Sequence, residues 1–230
     1  MTLREATSEF LKRAGPIIFP DKQSLEACAR SLELLKTYFA HEKALSEIAP
    51  AELRDFLARW YIEKSASISF SLAPQILCDS LEFFFKWAEE AAALDDAKQH
   101  LQLLAEVRLG LPRALEITAL LTRRLAEQGG AFTFPEFLTS FEEGGRSQYD
   151  LDAPGEALAI EGYFRVTRIE GVMVEAQEII SDDLVWPIIF PADVVSHLMT
   201  DFIINLELAR NKEGWHIVAC GFAYPPGTDI

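Results

Sequence analysis

The stretch ALAIEGYFRVTRIEG at residues 157–171 decides the fold class of this chain. From Ala157 onward, apolar residues recur at every second position, which is the spacing of a strand with one buried face. Before Gly144 they recur at every third or fourth position, which is the spacing of an amphipathic helix. This change of period predicts a helical part followed by a strand part, and therefore an α+β protein.

A polar, glycine-rich segment separates the two parts. Residues 142–150 read EEGGRSQYD and have the composition of a linker or an exposed loop. We therefore expect two folding units, an all-helical domain over residues 1–143 and a small β domain over residues 155–230.

The β domain is predicted to contain five strands. Turn signals at Glu170-Gly171 and at residues 211–214 join strands into hairpins, and a short helix is expected between Pro191 and Leu198. The resulting order of three strands, one helix and two strands matches a small five-stranded β-barrel of the OB type. An SH3-like barrel also contains five short strands, so the order of elements leaves both barrel types open.

The helical part carries a series of helix start signals. Asp21 and Ser71 are predicted N-caps, and Pro50 suits the first turn of a helix. Thr133 and Glu136 have the spacing of a capping box. The predicted helices are residues 3–13, one helix from Asp21, one from Pro50, one from Ser71, residues 95–109, residues 112–128 and a short helix after Thr133.

The pentapeptide PIIFP occurs twice, at residues 16–20 and 187–191. One interpretation makes the two copies equivalent edges or ligand-contacting arms. The surrounding sequences share nothing else, which favours two extended apolar stretches that each lead into a helix.

The acidic charge of the chain argues against polyanionic partners. Its formal net charge is −15, and residues 151–230 alone carry 4 Lys and Arg against 13 Asp and Glu. Nucleic acids and anionic membranes are bound through clustered cations, so we expect neither as a partner. A protein partner is expected instead, while its identity and the oligomeric state stay open.

No motif of a cofactor or a common enzyme class is present. The chain has no P-loop, no GxGxxG after a strand, no GxSxG and no HExxH, so no cofactor is predicted. The cysteines, Cys28, Cys78 and Cys220, form no CxxC pair and predict neither a zinc site nor a disulfide framework. The first residues, MTLREATSEFLKRAG, lack the apolar core of a signal peptide, and we expect a cytoplasmic protein without a membrane span.

Two spacings near the C-terminus suggest candidate chemistry. Asp193, His197 and Asp201 recur every four positions. This spacing places Asp193 and His197 on one face of the short predicted helix, with Asp201 beyond its end, and two such side chains can ligate a metal or form a carboxylate-oriented base. The alternative is local polar surface at a helix end. His216 and Cys220 share one side of the last predicted strand, but about 13 Å of strand separates them, too far for a hydrogen bond.

The densest basic cluster is the candidate nucleic-acid site, and its residues are Arg108, Arg113, Arg123 and Arg124. The alternative is ion pairing on an exposed helix face with acidic neighbours such as Glu116 and Glu127. The second and third predicted strands, where OB folds bind nucleic acid, contain Trp186 but no Lys or Arg. We therefore expect Trp186 to be a core residue.

Three segments of the helical part carry a family resemblance. They are SLEACARSLELLKTYFA at residues 24–40, LSEIAPAELRDFLARW at residues 45–60 and SLEFFFKWAEE at residues 80–90. The last segment contains the pattern Leu-x-x-Phe-Phe-x-Trp. Together they resemble the SAM-like core-binding domain at the N-terminus of tyrosine recombinases and phage integrases, which implies that helical fold over residues 22–90.

The resemblance does not extend to recombinase chemistry. The family's domain is a basic clamp on DNA, whereas residues 22–90 hold 8 Lys and Arg against 11 Asp and Glu. The family's catalytic His-x-x-Arg is missing after every histidine, namely His41, His100, His197 and His216.

The sequence therefore favours a non-enzymatic protein-interaction or regulatory module. One alternative is a nucleic-acid-associated protein that retains a recombinase-like helical domain without the catalytic domain. The other is a metal-dependent enzyme that uses Asp193 and His197.

Overall fold

The structure, a computed structural model, describes residues 1–65, 72–127 and 159–230. These residues form two compact units, Met1–Pro112 and Arg113–Thr228. Four predictions lie outside the described residues, namely the connector at residues 142–150, the domain boundary between residues 143 and 155, the cap Ser71 and the helix after Thr133.

The first unit is helical. Its described helices are α1 (Leu3–Arg13), α2 (Gly15–Ile18), α3 (Lys22–Phe39), α4 (Pro50–Asp55), α5 (Tyr61–Ser65), α6 (Pro74–Glu90) and the first half of α7 (Lys98–Glu127). A tight helical turn, Leu45–Glu47, precedes α4, and a π-helical turn, Phe56–Trp60, joins α4 to α5. Within the described residues, no helix is both long and apolar enough to cross a membrane.

Local hydrogen bonds explain where α1 and α3 begin. Thr2 and Glu5 form a capping box, in which the Thr2 hydroxyl accepts from the Glu5 N–H at 3.3 Å and the Glu5 carboxylate accepts from the Thr2 N–H at 2.9 Å. The Asp21 carboxylate accepts from the Ser24 N–H at 2.8 Å. The predicted helix starts at Leu3 and after Asp21 are therefore confirmed.

Aromatic side chains form much of the core of the first unit. Phe10 of α1 meets Phe84 and Trp87 of α6 at ring-centroid distances of 5.6 and 5.5 Å. Ile76 and Phe83 of α6 are exposed, although both are large apolar residues. The side of α6 that carries Phe84 faces the core, whereas Ile76 and Phe83 lie on other sides of the helix. Apolar character alone therefore does not tell which residues of α6 are buried.

Helix α7 continues through Pro112, where we predicted a break. Proline removes one hydrogen bond and disfavours a helix interior by about 3 kcal/mol. Buried side chains, including Val107, Leu111 and Ala114, continue on both sides of the proline. Because each large apolar side chain that is buried contributes about 1.5–3 kcal/mol, this packing outweighs the proline. The boundary between the two units falls directly after Pro112.

The described part of the second unit combines the C-terminal half of α7 with one five-stranded mixed sheet. The strands are β1 (Ala159–Glu170), β2 (Met173–Glu178), β3 (Leu184–Ile189), β4 (Ile203–Arg210) and β5 (Trp215–Tyr224), with the short helix α8 (Ala192–Val195) between β3 and β4. The strand order is β1-β2-β3-β5-β4, and β4 pairs back with β1, so the sheet closes on itself. Only the β3–β5 pair is parallel among these described strands. The predicted α+β class is confirmed.

Strand β1 has the period that the sequence predicts. Phe164 and Val166 are buried, while Arg165 between them is exposed. Gly171, with a φ of 63°, lies in the turn to β2, where glycine tolerates a conformation that other residues avoid. The turns predicted at Gly171 and at residues 211–214 are both confirmed.

The repeated pentapeptide PIIFP adopts two different structures. At residues 16–20 its first three residues belong to helix α2, whereas at residues 187–191 its first three residues belong to strand β3. The interpretation of both copies as extended stretches is therefore wrong for the first copy. Tertiary packing, rather than local propensity, selects the backbone of so short a segment.

Ala40 ends helix α3 in an uncommon backbone conformation. Its φ of 64° and ψ of 140° lie in a region that residues with a Cβ avoid and that glycine tolerates. Such backbone strain is of order 1–3 kcal/mol. The side chain is exposed, so a glycine at this position loses no buried contact.

We expect Ala40→Gly to stabilise the protein by about 1 kcal/mol, because it relieves this strain. The matched control is Ala29→Gly inside α3, which should destabilise by about 1 kcal/mol because glycine disfavours a helix interior. Urea unfolding followed by circular dichroism measures both changes. Equal losses of stability in the two variants would contradict the strained conformation of Ala40.

Two glutamates lie opposite each other on adjacent strands. Glu161 of β1 and Glu207 of β4 are register partners. Burial, together with the charge of Glu161, raises the pKa of Glu207 above its usual 4.5. Like charges directly opposite each other destabilise a sheet. The repulsion is present when Glu207 is ionised and disappears when it is protonated.

We expect Glu207→Gln to raise the free energy of unfolding at neutral pH by about 0.2–1 kcal/mol. The pKa of Glu207 is higher in the folded chain than in the unfolded chain. The free energy of unfolding of the natural protein therefore falls as pH rises from the unfolded-state pKa through the folded-state pKa. The variant has no carboxyl group at this position and avoids that loss. The gain should therefore vanish below about pH 4. Urea unfolding at a series of pH values measures it.

The control for this series is Glu213→Gln in the exposed turn between β4 and β5. It should give no gain at neutral pH, since its carboxylate is solvated. A gain for Glu207→Gln that is independent of pH would rule out repulsion between the two glutamates.

Candidate functional site

The outer side of strands β1, β2 and β3 forms the candidate site. Inward residues of these strands, such as Val174 and Val185, are buried. The outward residues alternate with them, as the pleat of a sheet requires. We call this surface the Trp186 face, and its residues are Arg165, Arg168, Glu170, Met173, Glu175, Gln177, Leu184 and Trp186.

Arg168 and Trp186 meet at the centre of the Trp186 face. The guanidinium carbon of Arg168 lies 4.5 Å from the centroid of the Trp186 ring, in a cation–π contact. Two carboxylates hold the guanidinium, since Glu170 accepts from Nη1 at 2.8 Å and Glu175 accepts from Nη2 at 3.1 Å. The Thr167 hydroxyl donates to Glu175 at 3.0 Å. Arg168 is therefore held against the indole, and its charge is offset.

Trp186 is half-buried, which corrects its prediction as a core residue. Its neighbour Val185 takes the inward position of β3, so the indole lies on the outer side. The pairing of β2 with β3 shifts register between Val174 and Ala176. Beyond such a bulge, alternation in the sequence no longer tells which residues of the two strands share a face.

Exposed apolar side chains flank the Arg168–Trp186 contact. Leu184 is 64% exposed, Met173 is 37% exposed and Val172, in the turn between β1 and β2, is 42% exposed. Acidic residues are interspersed with them along residues 168–186, which contain one Arg and five carboxylates, namely Glu170, Glu175, Glu178, Asp182 and Asp183. The Trp186 face thus has aromatic and apolar side chains at its centre and negatively charged carboxylates around them.

Asp193, His197 and Asp201 lie in separate environments on and after α8. The Asp193 carboxylate accepts from Arg124 Nη2 at 3.0 Å, and this hydrogen bond lowers the pKa of Asp193. His197 is half-buried and Asp201 is exposed, both beyond the end of α8 at Val195. Among the described residues, no three His, Cys, Asp or Glu side chains are grouped as metal ligands. Because α8 ends at Val195, the helix does not extend to His197 and does not set Asp193 and His197 on one helix face.

The four candidate nucleic-acid-binding arginines are divided between the two units. Arg108 belongs to the first unit and pairs with two carboxylates of α6. Arg113, Arg123 and Arg124 belong to the second unit. Arg123 and Arg124 both approach Asp193, at 4.0 and 3.0 Å. The structure therefore brings Arg123 and Arg124 together around a carboxylate rather than along a track for phosphates.

The buried thiols are unsuited to nucleophilic chemistry. Burial raises the pKa of Cys28, Cys78 and Cys220 to about 11. A thiol with such a pKa is neutral at physiological pH, whereas the thiolate is the nucleophile and the metal ligand. The burial of Cys220 thus disfavours the thiolate that a nucleophilic pairing with His216 of β5 needs.

The Arg168–Trp186 contact is the feature of the site that sequence reasoning missed. The sequence contained a signal for the ion pair of Arg168 with Glu175, because these two residues are register partners across the predicted hairpin at Gly171. The sequence contained no signal for the position of Trp186, since the side of the sheet on which it lies depends on the shifted pairing of β2 with β3.

No protein-family model, no curated protein and no solved structure matches this chain. A function is therefore inferred from the geometry of the Trp186 face.

Proposed function

We propose that this chain is a non-enzymatic interaction protein whose Trp186 face binds a basic protein partner. The observation that carries the proposal is the Arg168–Trp186 contact, set among exposed apolar side chains on the outer side of β1, β2 and β3.

The composition of the face suits protein recognition. Trp, Arg and Met are enriched at protein interfaces, and Trp and Arg dominate among the residues whose truncation weakens binding. Here Trp186 and Arg168 are already ordered against each other before any partner arrives. Less side-chain entropy is lost on binding when the contact residues are preorganised.

The charge of the surroundings selects the class of partner. Residues 168–186 hold one Arg against five carboxylates, and the whole chain has a net charge of −15. A basic protein is attracted to such a surface, which accelerates its association and excludes acidic competitors.

The strand order supports an OB-like barrel over an SH3-like one. Strand β1 pairs with both β2 and β4, β3 runs parallel to β5, and α8 lies between β3 and β4. In OB folds the face of the second and third strands binds oligonucleotides and oligosaccharides. By this fold-level analogy, the Trp186 face lies where an OB fold carries its ligand.

A nucleic-acid-associated protein is the second candidate function. It is supported by the resemblance of residues 22–90 to recombinase core-binding domains and by two cation–π contacts in that region, Lys43 over Phe39 at 5.2 Å and Lys64 over Trp60 at 5.9 Å. However, Lys43 also pairs with Glu52 at 2.6 Å. On the Trp186 face, Arg168 is bound by two carboxylates and would have to leave them to reach a phosphate.

We expect Trp186→Ala and Leu184→Asp to weaken binding of the partner by at least about tenfold, because each removes apolar contact from the centre of the face. Affinity capture from the native extract identifies a stoichiometric basic protein, and calorimetry with the purified partner measures the loss. The matched control is Val218→Asp, an equally polar change at an exposed valine of β5 outside the Trp186 face.

Two results would overturn protein binding through this face. The first is a partner whose affinity is reduced equally by Val218→Asp and Leu184→Asp. The second is the absence of any stoichiometric protein together with salt-sensitive binding of DNA or RNA oligonucleotides, which would support the nucleic-acid alternative.

A further inference from the structure

The second unit contains a cavity of about 360 Å³ that none of the Trp186-face residues lines. Its wall is formed by the end of α7, the end of β3 and the start of β5. The lining residues are Leu121, Arg124, Leu125, Ile189, Phe190, Pro191, His216 and Ile217. Its volume lies within the range of about 300–1,000 Å³ that small-molecule sites occupy.

The cavity arises where two strands stop pairing. Strands β3 and β5 share only two register pairs, Ile188 with Trp215 and Ile189 with His216. Strand β5 continues beyond them while β3 ends at Ile189. Helix α7 covers this side of the sheet, and the Thr118 hydroxyl accepts from the Ala223 N–H of β5 at 2.9 Å. The helix is thereby anchored to β5 while a space is left near its C-terminal end.

The lining is apolar with two nitrogen-bearing side chains. Ile189, Pro191 and Ile217 are half-buried and supply the apolar surface that faces the cavity. Arg124 is oriented by its hydrogen bond to Asp193 at 3.0 Å and by an ion pair with Glu127 at 3.6 Å, and the hydrogen bond occupies one of its five N–H donors. The Nε2 atom of His216 is buried and has no hydrogen-bond partner among the described residues. A buried polar atom without a partner is uncommon in native proteins, so this nitrogen is open to a hydrogen bond from a bound molecule.

We propose that this cavity binds a small monocarboxylate with an apolar body. The carboxylate pairs with the Arg124 guanidinium, the side chain best suited to a planar anionic group, and the apolar body contacts Ile189 and Ile217. The site goes beyond the proposed protein interaction and does not depend on it, since the two surfaces share no residue.

Calorimetric titration with octanoate tests the site, with octan-1-ol and octylamine as neutral and cationic probes of equal chain length. Octanoate should bind with one molecule per chain, more tightly than octan-1-ol, and octylamine should not bind. Arg124→Gln should weaken octanoate binding by about tenfold, because it removes a charge-assisted hydrogen bond. Arg123→Gln is the matched control, since it removes the same charge from the adjacent residue, which does not line the cavity.

A second variant tests the cavity rather than the charge. Ile217→Phe fills space at the wall and should abolish octanoate binding while the chain stays folded by circular dichroism. Trp186→Ala should leave octanoate binding unchanged, so failure of this site and failure of the protein interaction are distinguishable. Equal binding of octanoate and octan-1-ol, equal losses in Arg123→Gln and Arg124→Gln, or no octanoate binding at millimolar concentration would each overturn the proposal.

Discussion

The double pairing of strand β1 is the interaction on which the second unit depends. This strand of 12 residues pairs with β2 along one edge and with β4 along the other. It thereby closes the sheet and leaves neither of its own edges free, which avoids the exposed strand edge that promotes aggregation. The same pairing points Phe164 and Val166 inward, and it sets Arg168 on the outer side, where it reaches across β2 to Trp186.

Hydrophobic period and turn chemistry predict most of the fold because both act locally. The bounds of α1, the cap of α3 and the two hairpin turns follow from residues close to one another in sequence. The length of helix α7 does not follow from local sequence, since Pro112 favours a break and only tertiary packing keeps the helix continuous. The two copies of PIIFP make the same point, because one sequence forms a helix in one place and a strand in another.

The candidate sites were less predictable than the fold because they depend on partners distant in sequence. The spacing of Asp193 and His197 suggested a shared helix face, but Asp193 is paired with Arg124 of α7, a residue of another element. The contact of Arg168 with Trp186 joins two strands that are not neighbours in the sheet. Such contacts follow from register, and a single bulge changes the register for every residue beyond it.

The three buried cysteines have a consequence for how the opening of each unit can be followed. Cys28 and Cys78 belong to the first unit and Cys220 belongs to the second. Since a neutral, buried thiol is inert toward alkylating reagents, each cysteine becomes modified only when its surroundings open. The alkylation rate of each cysteine-containing peptide therefore measures transient unfolding separately for the helical unit and for the unit that contains the sheet, within one intact chain.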